Sequence, residues 1–332
     1  MVAMEFTLAG WGTYRPRQVL TSTELDARHG QASGWTQAEF GIATRRIAAA
    51  DETSSMMAAT AAADAIAAAG WDPHAIDVII GGCGVMEQPI PSTAALVQHR
   101  LGLGKSGIAA FDVNQTCLSF LVALDMAAMG IALGRWRRVL VFSADIASAG
   151  LDPANPKTRS IFGDGAAAVA LEAAPSSGRG VRGLHFATHG AGHALAQLRA
   201  GGTRLRVEDG YDALLAGSRF EMDAFGIFKA AARCLPATIA AALEQAQLTR
   251  DDLDVVICHQ ASAPGVEHVR RLFAPRMDRV IDIFADHGNQ IAASIPTALA
   301  HALDSGRIVP GMNVLLLGTA AGISAGAMVL RT

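Results

Sequence analysis

The stretch Asn114-Gln115-Thr116-Cys117-Leu118-Ser119-Phe120 returns 175 residues later as Asn289-Gln290-Ile291-Ala292-Ala293-Ser294-Ile295, with an alanine in place of the cysteine. Two further pairs of blocks match at nearly the same spacing: Val139–Phe142 with Val314–Leu317, and Asp77–Ile80 with Asp254–Ile257. Three matched pairs in the same order indicate two copies of one α/β unit. We therefore divide the chain into residues 1–177, which carry the cysteine, and residues 178–332.

Composition excludes several classes of protein. Of the 332 residues, 51% are hydrophobic and 17% are charged, which is typical of a globular chain. The net charge of −3 and the lack of a basic run predict no nucleic-acid partner. With no signal-peptide pattern and no uninterrupted apolar stretch of spanning length, we expect a cytoplasmic protein without a membrane partner. The other three cysteines, Cys83, Cys234 and Cys258, form no metal-binding pair and are expected to be reduced core residues.

Apolar runs and helical patterns alternate along both copies, which predicts helices packed on a largely parallel sheet. In the first copy we expect strands at 5–10, 77–81, 109–113, 139–143 and 166–171, and helices at 53–69 and 117–133. In the second we expect strands at 255–258, 280–283, 314–317 and 326–330, and helices at 225–245 and 291–303. Residues 188–220 are expected to form an irregular excursion near the functional site.

Cys117 lies where a predicted strand ends and a helix begins. Backbone N–H groups and the helix dipole point at such a position, so we expect them to favour a nucleophilic thiolate. The same amides can stabilise a developing oxyanion. Taken alone, Cys117 is equally compatible with a buried core cysteine.

His259 and Asn289 lie at the equivalent edge of the second copy. His259 follows the predicted strand Val255–Cys258, where a neutral imidazole can donate to a carbonyl oxygen or accept a proton. Asn289 lies between a strand and a helix, as does its repeat partner Asn114. Each also has an ordinary structural interpretation, as a hydrogen-bonded core histidine and as a turn or capping residue.

Taken together, these blocks resemble the thiolase-fold condensing enzymes of the 3-oxoacyl-(acyl-carrier-protein) synthase III group, over nearly the whole chain. The matching blocks are Asp112–Cys117, Phe162–Ala166, Met222-Asp223 with Phe228-Lys229, His259–Ala261, and Gly288-Asn289 with Ala292–Pro296. The resemblance implies a duplicated α/β fold layered α-β-α-β-α, with mixed, mostly parallel sheets, and a homodimer. It implies an acyltransferase that needs no metal or redox cofactor and takes its acyl group from coenzyme A or an acyl carrier protein.

The resemblance also implies a role for each site residue. Cys117 would accept the acyl group, and the amides of Cys117 and Gly322 would form an oxyanion hole. His259 and Asn289 would hold the thioester oxygen of a malonyl donor while carbon dioxide leaves. The resulting carbanion equivalent would attack the acyl-Cys117 carbonyl. The implied substrate-binding residues are Trp35, Ile90, Phe225, Lys229, Ala320 and Ala321.

Several positions depart from the family pattern. Glu39 stands where the family has an arginine, and a carboxylate there would repel the phosphates of coenzyme A. Ser262-Ala263-Pro264 replaces a basic carrier-docking block, for which Arg270 and Arg271 are candidate substitutes. Ala320-Ala321-Gly322 replaces a glycine triplet, and Ile90 replaces a pocket phenylalanine. We therefore expect a specialised relative in a lipid or secondary-metabolite pathway.

Other functions are considered beside condensation. The acyl group on Cys117 could pass to an oxygen, nitrogen or sulfur acceptor with His259 as base. The chain could be a cysteine hydrolase, since Cys-His-Asn also serves proteases, or a non-catalytic partner subunit of a heterodimeric synthase. A metal site at His185, His189 and His193 is disfavoured because Gly190 and Gly192 interrupt any helix there. The Arg135, Arg137 and Arg138 cluster is expected to be a solvated surface.

Overall fold

The structure is a computed structural model that describes residues 4–332. Its strands are β1 Phe6–Tyr14, β2 Gln18–Thr21, β3 Thr44–Ile47, β4 Val78–Gly81, β5 Ala109–Asp112, β6 Arg138–Asp145, β7 Gly165–Ala173, β8 Gly180–Thr188, β9 Ala196–Gln197, β10 Glu221–Met222, β11 Val255–Cys258, β12 Val280–Ile281, β13 Asn313–Ala320 and β14 Ser324–Arg331. Its α-helices are α1 Ser22–Arg28, α2 Trp35–Phe40, α3 Ser54–Ala68, α4 Thr93–Arg100, α5 Ser119–Ala132, α6 Pro156–Ile161, α7 Tyr211–Gly217, α8 Ala224–Ala246, α9 Ala263–Leu272, α10 Phe284–His287 and α11 Ser294–Asp304.

Two five-stranded sheets carry the duplication. Their strand orders are β1-β7-β6-β4-β5 and β8-β14-β13-β11-β12. In each sheet three neighbouring strands are parallel, and two antiparallel strands complete the sheet on one side. Each strand therefore has a counterpart at the same place in the other sheet, which confirms the duplicated α/β fold predicted from the sequence.

Five layers result from the alternation of side chains along the strands. In β4, Val78 and Ile80 face a central core that also contains α5, α11 and the inner face of the second sheet. The intervening Ile79 faces α3 and α4 on the outside of the first sheet. The outer face of the second sheet packs on α8 and α9 in the same way. Because strand side chains alternate between faces, one apolar run serves both layers.

Small residues allow the helices to approach the sheets closely. A Cβ placed on Gly10 of β1 would lie 2.3 Å from the carbonyl oxygen of Ala65 in α3. A Cβ placed on Gly183 of β8 would lie 2.1 Å from the carbonyl oxygen of Ala242 in α8. The abundance of glycine and alanine therefore reflects helix-on-sheet packing in both halves.

Most elements lie close to where the sequence predicts them, with two differences. Residues 188–220 are not wholly irregular, because they contain α7 and the β9 strand that pairs with β10. The strand expected at 280–283 ends at Ile281, since α10 begins at Phe284. The segment 174–179 connects β7 to β8, while the division at residue 177 stays a prediction.

Helix α8 is long and apolar enough, by length and composition, to cross a membrane. Leu235, Ile239 and Leu243 on its inner face are nevertheless buried in the core of the second half. This packing is typical of a helix that covers a sheet in a globular domain.

Candidate active site

Cys117 lies in a tight turn between β5 and α5. Thr116–Leu118 form a 3₁₀ turn, and Ile291–Ala293 form the same turn before α11. Thr116 has φ 49° and its repeat partner Ile291 has φ 51°. Both copies therefore use a left-handed backbone conformation that residues other than glycine rarely adopt. Such a strained conformation is expected where a turn must present the next residue at a site. The next residue is Cys117 in the first copy and Ala292 in the second.

The thiol of Cys117 is held protonated. Desolvation by the surrounding protein, followed by the negative charge of Asp145, raises the pKa of Cys117 to about 12. Backbone hydrogen bonds from Cys117 itself and from Ala321 oppose that rise without cancelling it. The expectation of a thiolate is therefore wrong, because burial outweighs the amides and the helix start.

His259 is a buried neutral imidazole at the end of β11. Desolvation lowers the pKa of His259 to about 4, so the ring is uncharged at neutral pH. Its Nδ1 lies 2.6 Å from Oγ of Ser294, at the start of α11. The backbone N–H of Gln260 donates to the same hydroxyl oxygen at 3.3 Å.

The Ser294 hydroxyl has one proton and two acceptors within reach. Its oxygen lies 3.0 Å from the carbonyl oxygen of Ile291, as Oγ of Ser119 lies 2.7 Å from that of Thr116 in the first copy, and 2.6 Å from Nδ1 of His259. When the hydroxyl donates to Nδ1, the ring proton of His259 lies on Nε2, the nitrogen that can then donate to a substrate oxygen.

Asn289 is buried beside the same turn. Its Oδ1 accepts the backbone N–H of Ile291 at 2.9 Å, and its Nδ2 donates to the carbonyl oxygen of Ala261 at 3.3 Å. Its repeat partner Asn114 donates to two carbonyl oxygens, those of Cys83 and Gly84, at 3.1 and 3.2 Å. Among the described residues, the second amide hydrogen of Asn289 thus remains available for a ligand.

Tight packing brings the two copies together at this point. A Cβ placed on Gly318 of β13 would lie 2.8 Å from Cβ of His259 and 3.2 Å from Cδ2 of Leu118, the residue after Cys117. Phe162, at the start of the glycine turn, forms a β-bridge with Asn289. The cysteine turn, the histidine and the asparagine, which are far apart in sequence, therefore lie close together where the two halves meet.

Two regions of the chain match family models. Residues 111–190 match the model of the 3-oxoacyl-[acyl-carrier-protein (ACP)] synthase III family, and residues 243–332 match the model of its C-terminal region. A beta-ketoacyl-[acyl-carrier-protein] synthase III of Methylococcus capsulatus is 36% identical over 324 residues, which cover 98% of each chain.

The chain belongs to the 3-oxoacyl-[acyl-carrier-protein] synthase III family. It is accordingly an acyltransferase of the beta-ketoacyl synthase III type. The crystal structure of the Aquifex aeolicus member superposes with a TM-score of 0.89 and 29% identity, covering 99% of this chain and 100% of that one. A priming beta-ketosynthase from the R1128 polyketide biosynthetic pathway superposes with a TM-score of 0.87 and 28% identity, covering 98% and 95%.

Gly322, the residue predicted to complete an oxyanion hole with Cys117, lies in the turn after β13. Ala320 is buried at the end of the strand, and Ala321 and Gly322 are half-buried. The backbone hydrogen bond to the Cys117 sulfur comes from Ala321, one residue before Gly322. Gly322 has φ 140°, a conformation that favours glycine, and its role at an acyl oxygen stays a prediction.

Four of the predicted substrate-binding side chains, Trp35, Ile90, Phe225 and Lys229, are half-buried or exposed. Trp35 opens α2 and is half-buried against Phe40 in an edge-to-face contact of 5.2 Å, with Glu39 exposed beside it. Phe225 and Lys229 are exposed in the first turns of α8. Ile90, 85% exposed, belongs to the loop after β4. No contact tests their assignment to a substrate.

The candidate carrier-docking arginines are already paired. Arg271 lies 2.9 Å from Glu267, and Arg270 lies 3.8 Å from Glu267 and 4.0 Å from Asp282. Exposed pairs of this kind are screened and weak, yet they reduce the positive charge that a synthase III would offer to an acidic carrier. The surface of α9 is therefore less basic than its sequence indicates.

Two site residues were missed by sequence reasoning. Ser294 contacts His259 across 35 residues, and Asp145 contacts the turn after Asn289 across 148 residues. The repeat contains Ser294, opposite Ser119, so its position was visible although its partner was not. No group of three metal-ligating side chains occurs in residues 4–332, and the separated His185, His189 and His193 form none.

Proposed function

We propose that this synthase condenses an acyl group carried on Cys117 with a malonyl thioester, giving a 3-oxoacyl thioester and carbon dioxide. The observation that carries the proposal is the second amide hydrogen of Asn289, which no described residue accepts, together with the neutral ring of His259. We propose that Ser294 donates to Nδ1 of His259, so that Nε2–H is the second donor to the substrate. An acyl transfer to a simple acceptor would need a base at His259, which a pKa of about 4 makes weak.

The first step loads the acyl group. The Cys117 sulfur attacks the carbonyl carbon of an acyl thioester, the new carbon–sulfur bond forms, and the old one breaks. The thiol proton of Cys117 ends on the departing thiol, so the completed step leaves no net charge on the enzyme. Amides of Cys117 and of the Ala321-Gly322 turn stabilise the tetrahedral oxyanion.

The second step removes carbon dioxide and joins carbon to carbon. The carboxylate of the malonyl thioester leaves as carbon dioxide, and its electron pair becomes an enolate whose oxygen accepts from His259 and Asn289. The enolate carbon attacks the acyl carbonyl, and Cys117 leaves as a thiolate. A raised pKa then favours uptake of one proton, which restores the resting thiol.

We propose that the substrates are unusual for the family. By the family resemblance, Glu39 replaces an arginine, Ser262-Ala263-Pro264 at the start of α9 replaces a basic block, and Ile90 replaces a larger phenylalanine. These features favour a longer or branched acyl group and a pathway of specialised lipid or secondary metabolism. Either coenzyme A or an acyl carrier protein can supply the acyl group, and the chemistry needs no metal or redox cofactor.

We further propose a cytoplasmic homodimer. Three apolar side chains of the loop after β4, Val85, Met86 and Ile90, are 40%, 47% and 85% exposed in the single chain. Coverage by a second copy would remove this surface from water. Sedimentation velocity at micromolar concentration should give twice the mass of one chain, and a monomer would contradict the assignment.

Product analysis tests the condensation. Acylated enzyme and malonyl-carrier should give carbon dioxide and a 3-oxoacyl product, whereas Asn289→Ala should load Cys117 normally and release little carbon dioxide. Preference for acetyl-coenzyme A over medium-chain thioesters would overturn the specialised assignment alone. Loading without any carbon dioxide release in the wild type would overturn condensation and indicate acyl transfer.

A further inference from the structure

Asp145 is a buried carboxylate at the end of β6 that the proposed chemistry does not use. Its Oδ1 accepts the backbone N–H groups of Gly84 and Val85 at 2.8 and 2.9 Å. Its Oδ2 accepts the N–H of Ala293 at 3.1 Å, and Ala292 supplies a further backbone hydrogen bond. No ion pair of Asp145 occurs within the described residues, so its partners there are backbone amides.

The contacts of Asp145 can be compared between the two copies of the repeat. Ala292 is the counterpart of Cys117, so the carboxylate of Asp145 binds the amide that corresponds to the Cys117 amide. In the first copy that amide is the predicted donor to a negatively charged acyl oxygen. The second copy therefore holds a fixed carboxyl group, whose pKa burial raises to about 7, where the first copy is expected to hold a transient oxyanion.

The counterpart of Asp145 itself, 175 residues later, is Ala320 at the end of β13. The side chain of Ala320 is a methyl group and has no oxygen that could accept the amides of the Cys117 turn. The amides around Cys117 are left for substrate in the first copy, whereas those of the second copy are filled. The two copies thus differ at two positions: Cys117 corresponds to Ala292, and Asp145 corresponds to Ala320. As a result, the amides of the first turn are open to substrate, and those of the second turn are occupied by a carboxyl group.

We propose that Asp145 is a positioning residue whose carboxylate fills the second copy's counterpart of the oxyanion hole and fixes Asn289 relative to Cys117. It does so by joining the Gly84-Val85 loop of the first copy to the turn that follows Asn289. Oδ1 of Asn289 accepts the N–H of Ile291 in that turn, so displacement of the turn moves the amide that receives the enolate oxygen. The inference rests on the proposed condensation and adds a residue to it.

Separate measurement of the two half-reactions tests this role. In Asp145→Asn one oxygen acceptor becomes an NH₂ group, which faces backbone N–H donors on either side. Because hydrogen bonds to a charged group are the stronger ones, we expect carbon dioxide release from malonyl thioester by the acylated enzyme to fall about 10- to 100-fold. Acylation of Cys117, followed by intact mass, should not fall, because the Cys117 turn makes no described hydrogen bond to Asp145 and loss of a negative charge that raises the pKa of Cys117 makes the thiol easier to ionise.

A matched control separates positioning from general loss of stability. Asp112, at the end of β5, accepts the backbone N–H groups of Thr93 and Ala94 at 2.7 and 2.8 Å and makes no hydrogen bond to the second half among the described residues. Asp112→Asn should lower the melting temperature comparably without favouring one half-reaction. An equal loss of both half-reactions in Asp145→Asn, matching this control, would overturn the proposal.

Two further measurements keep the inference independent of the proposed function. Hydrogen exchange of the Ala292 and Ala293 amides should accelerate in Asp145→Asn whether or not the wild type condenses, and unchanged exchange would overturn the proposal. If Asp145→Asn does not fold, Ala320→Asp gives the reciprocal test, since a carboxylate near the Cys117 turn should abolish acylation. Normal acylation of Ala320→Asp would contradict the equivalence of the two holes.

Discussion

Ser294 should matter to the condensation far more than to acyl loading. Ser294→Ala removes the hydroxyl that lies 2.6 Å from Nδ1 of His259 and accepts the N–H of Gln260. Without it, the ring proton can move to Nδ1, and Nε2 then becomes an acceptor that cannot stabilise an enolate oxygen. A buried polar group left without its partner costs about 1–3 kcal/mol, which corresponds to roughly a 5- to 150-fold loss of rate if it falls on the transition state.

The assay measures carbon dioxide release by the pre-acylated enzyme, beside the acylation rate of Cys117 by intact mass. Ser119→Ala is the matched control from the repeat, because Oγ of Ser119 also accepts a backbone N–H, that of Gln115, at 2.8 Å, and donates to Thr116. We expect Ser294→Ala to lose decarboxylation and keep loading, and Ser119→Ala to lose loading instead. Unchanged decarboxylation in Ser294→Ala, or equal losses of both steps, would refute the proposed tautomer.

Three other predictions follow from the site. Since burial lowers the pKa of His259 to about 4, the ring stays neutral above that pH, and decarboxylation should fall less than about twofold between pH 7 and 5. An ordinary histidine of pKa about 6.5 would be mostly protonated at pH 5. A loss of tenfold or more would therefore contradict the burial of His259. Because the pKa of Cys117 is raised to about 12, its alkylation by iodoacetamide should rise about tenfold per pH unit from pH 7 to 9, and a plateau beginning near pH 7 would indicate a thiolate. Gly318→Ala should lower the free energy of unfolding by about 1–3 kcal/mol in urea titration, because its Cβ would lie 2.8 Å from Cβ of His259. The control Gly202→Ala, whose Cβ would have nothing within 4 Å, should change the free energy of unfolding little. Equal values for the two variants would disprove close packing at the site.

Repetition made much of this site predictable. The match of Asn114–Phe120 with Asn289–Ile295 predicted a duplicated fold, and the structure has two sheets with the same strand order. It also predicted that a cysteine from one copy would lie near a histidine and an asparagine from the other. Residues 188–220 were less predictable, because β9 has only two residues and is defined by its pairing with β10 beyond α7, which a local sequence pattern does not indicate.

The sequence pattern did not predict how strongly the site residues are buried or how burial shifts the pKa of Cys117. The start of a helix lowers the pKa of a thiol, and on that basis alone Cys117 would be a thiolate. The opposite result comes from desolvation and from the charge of Asp145, which belongs to a strand 28 residues away in sequence. The contact between Ser294 and His259 is equally non-local, since neither residue alone indicates which hydroxyl would reach the ring.

The most direct test of the account is intact-protein mass spectrometry of the wild type and Cys117→Ala with a panel of acyl-coenzyme A esters and acyl carriers, followed by addition of malonyl-carrier. The account predicts a mass gain of one acyl group on the wild type alone, and then loss of that group as a 3-oxoacyl product forms. A mass gain on Cys117→Ala, or no gain on the wild type with any donor, would contradict the central role of Cys117 as acyl acceptor.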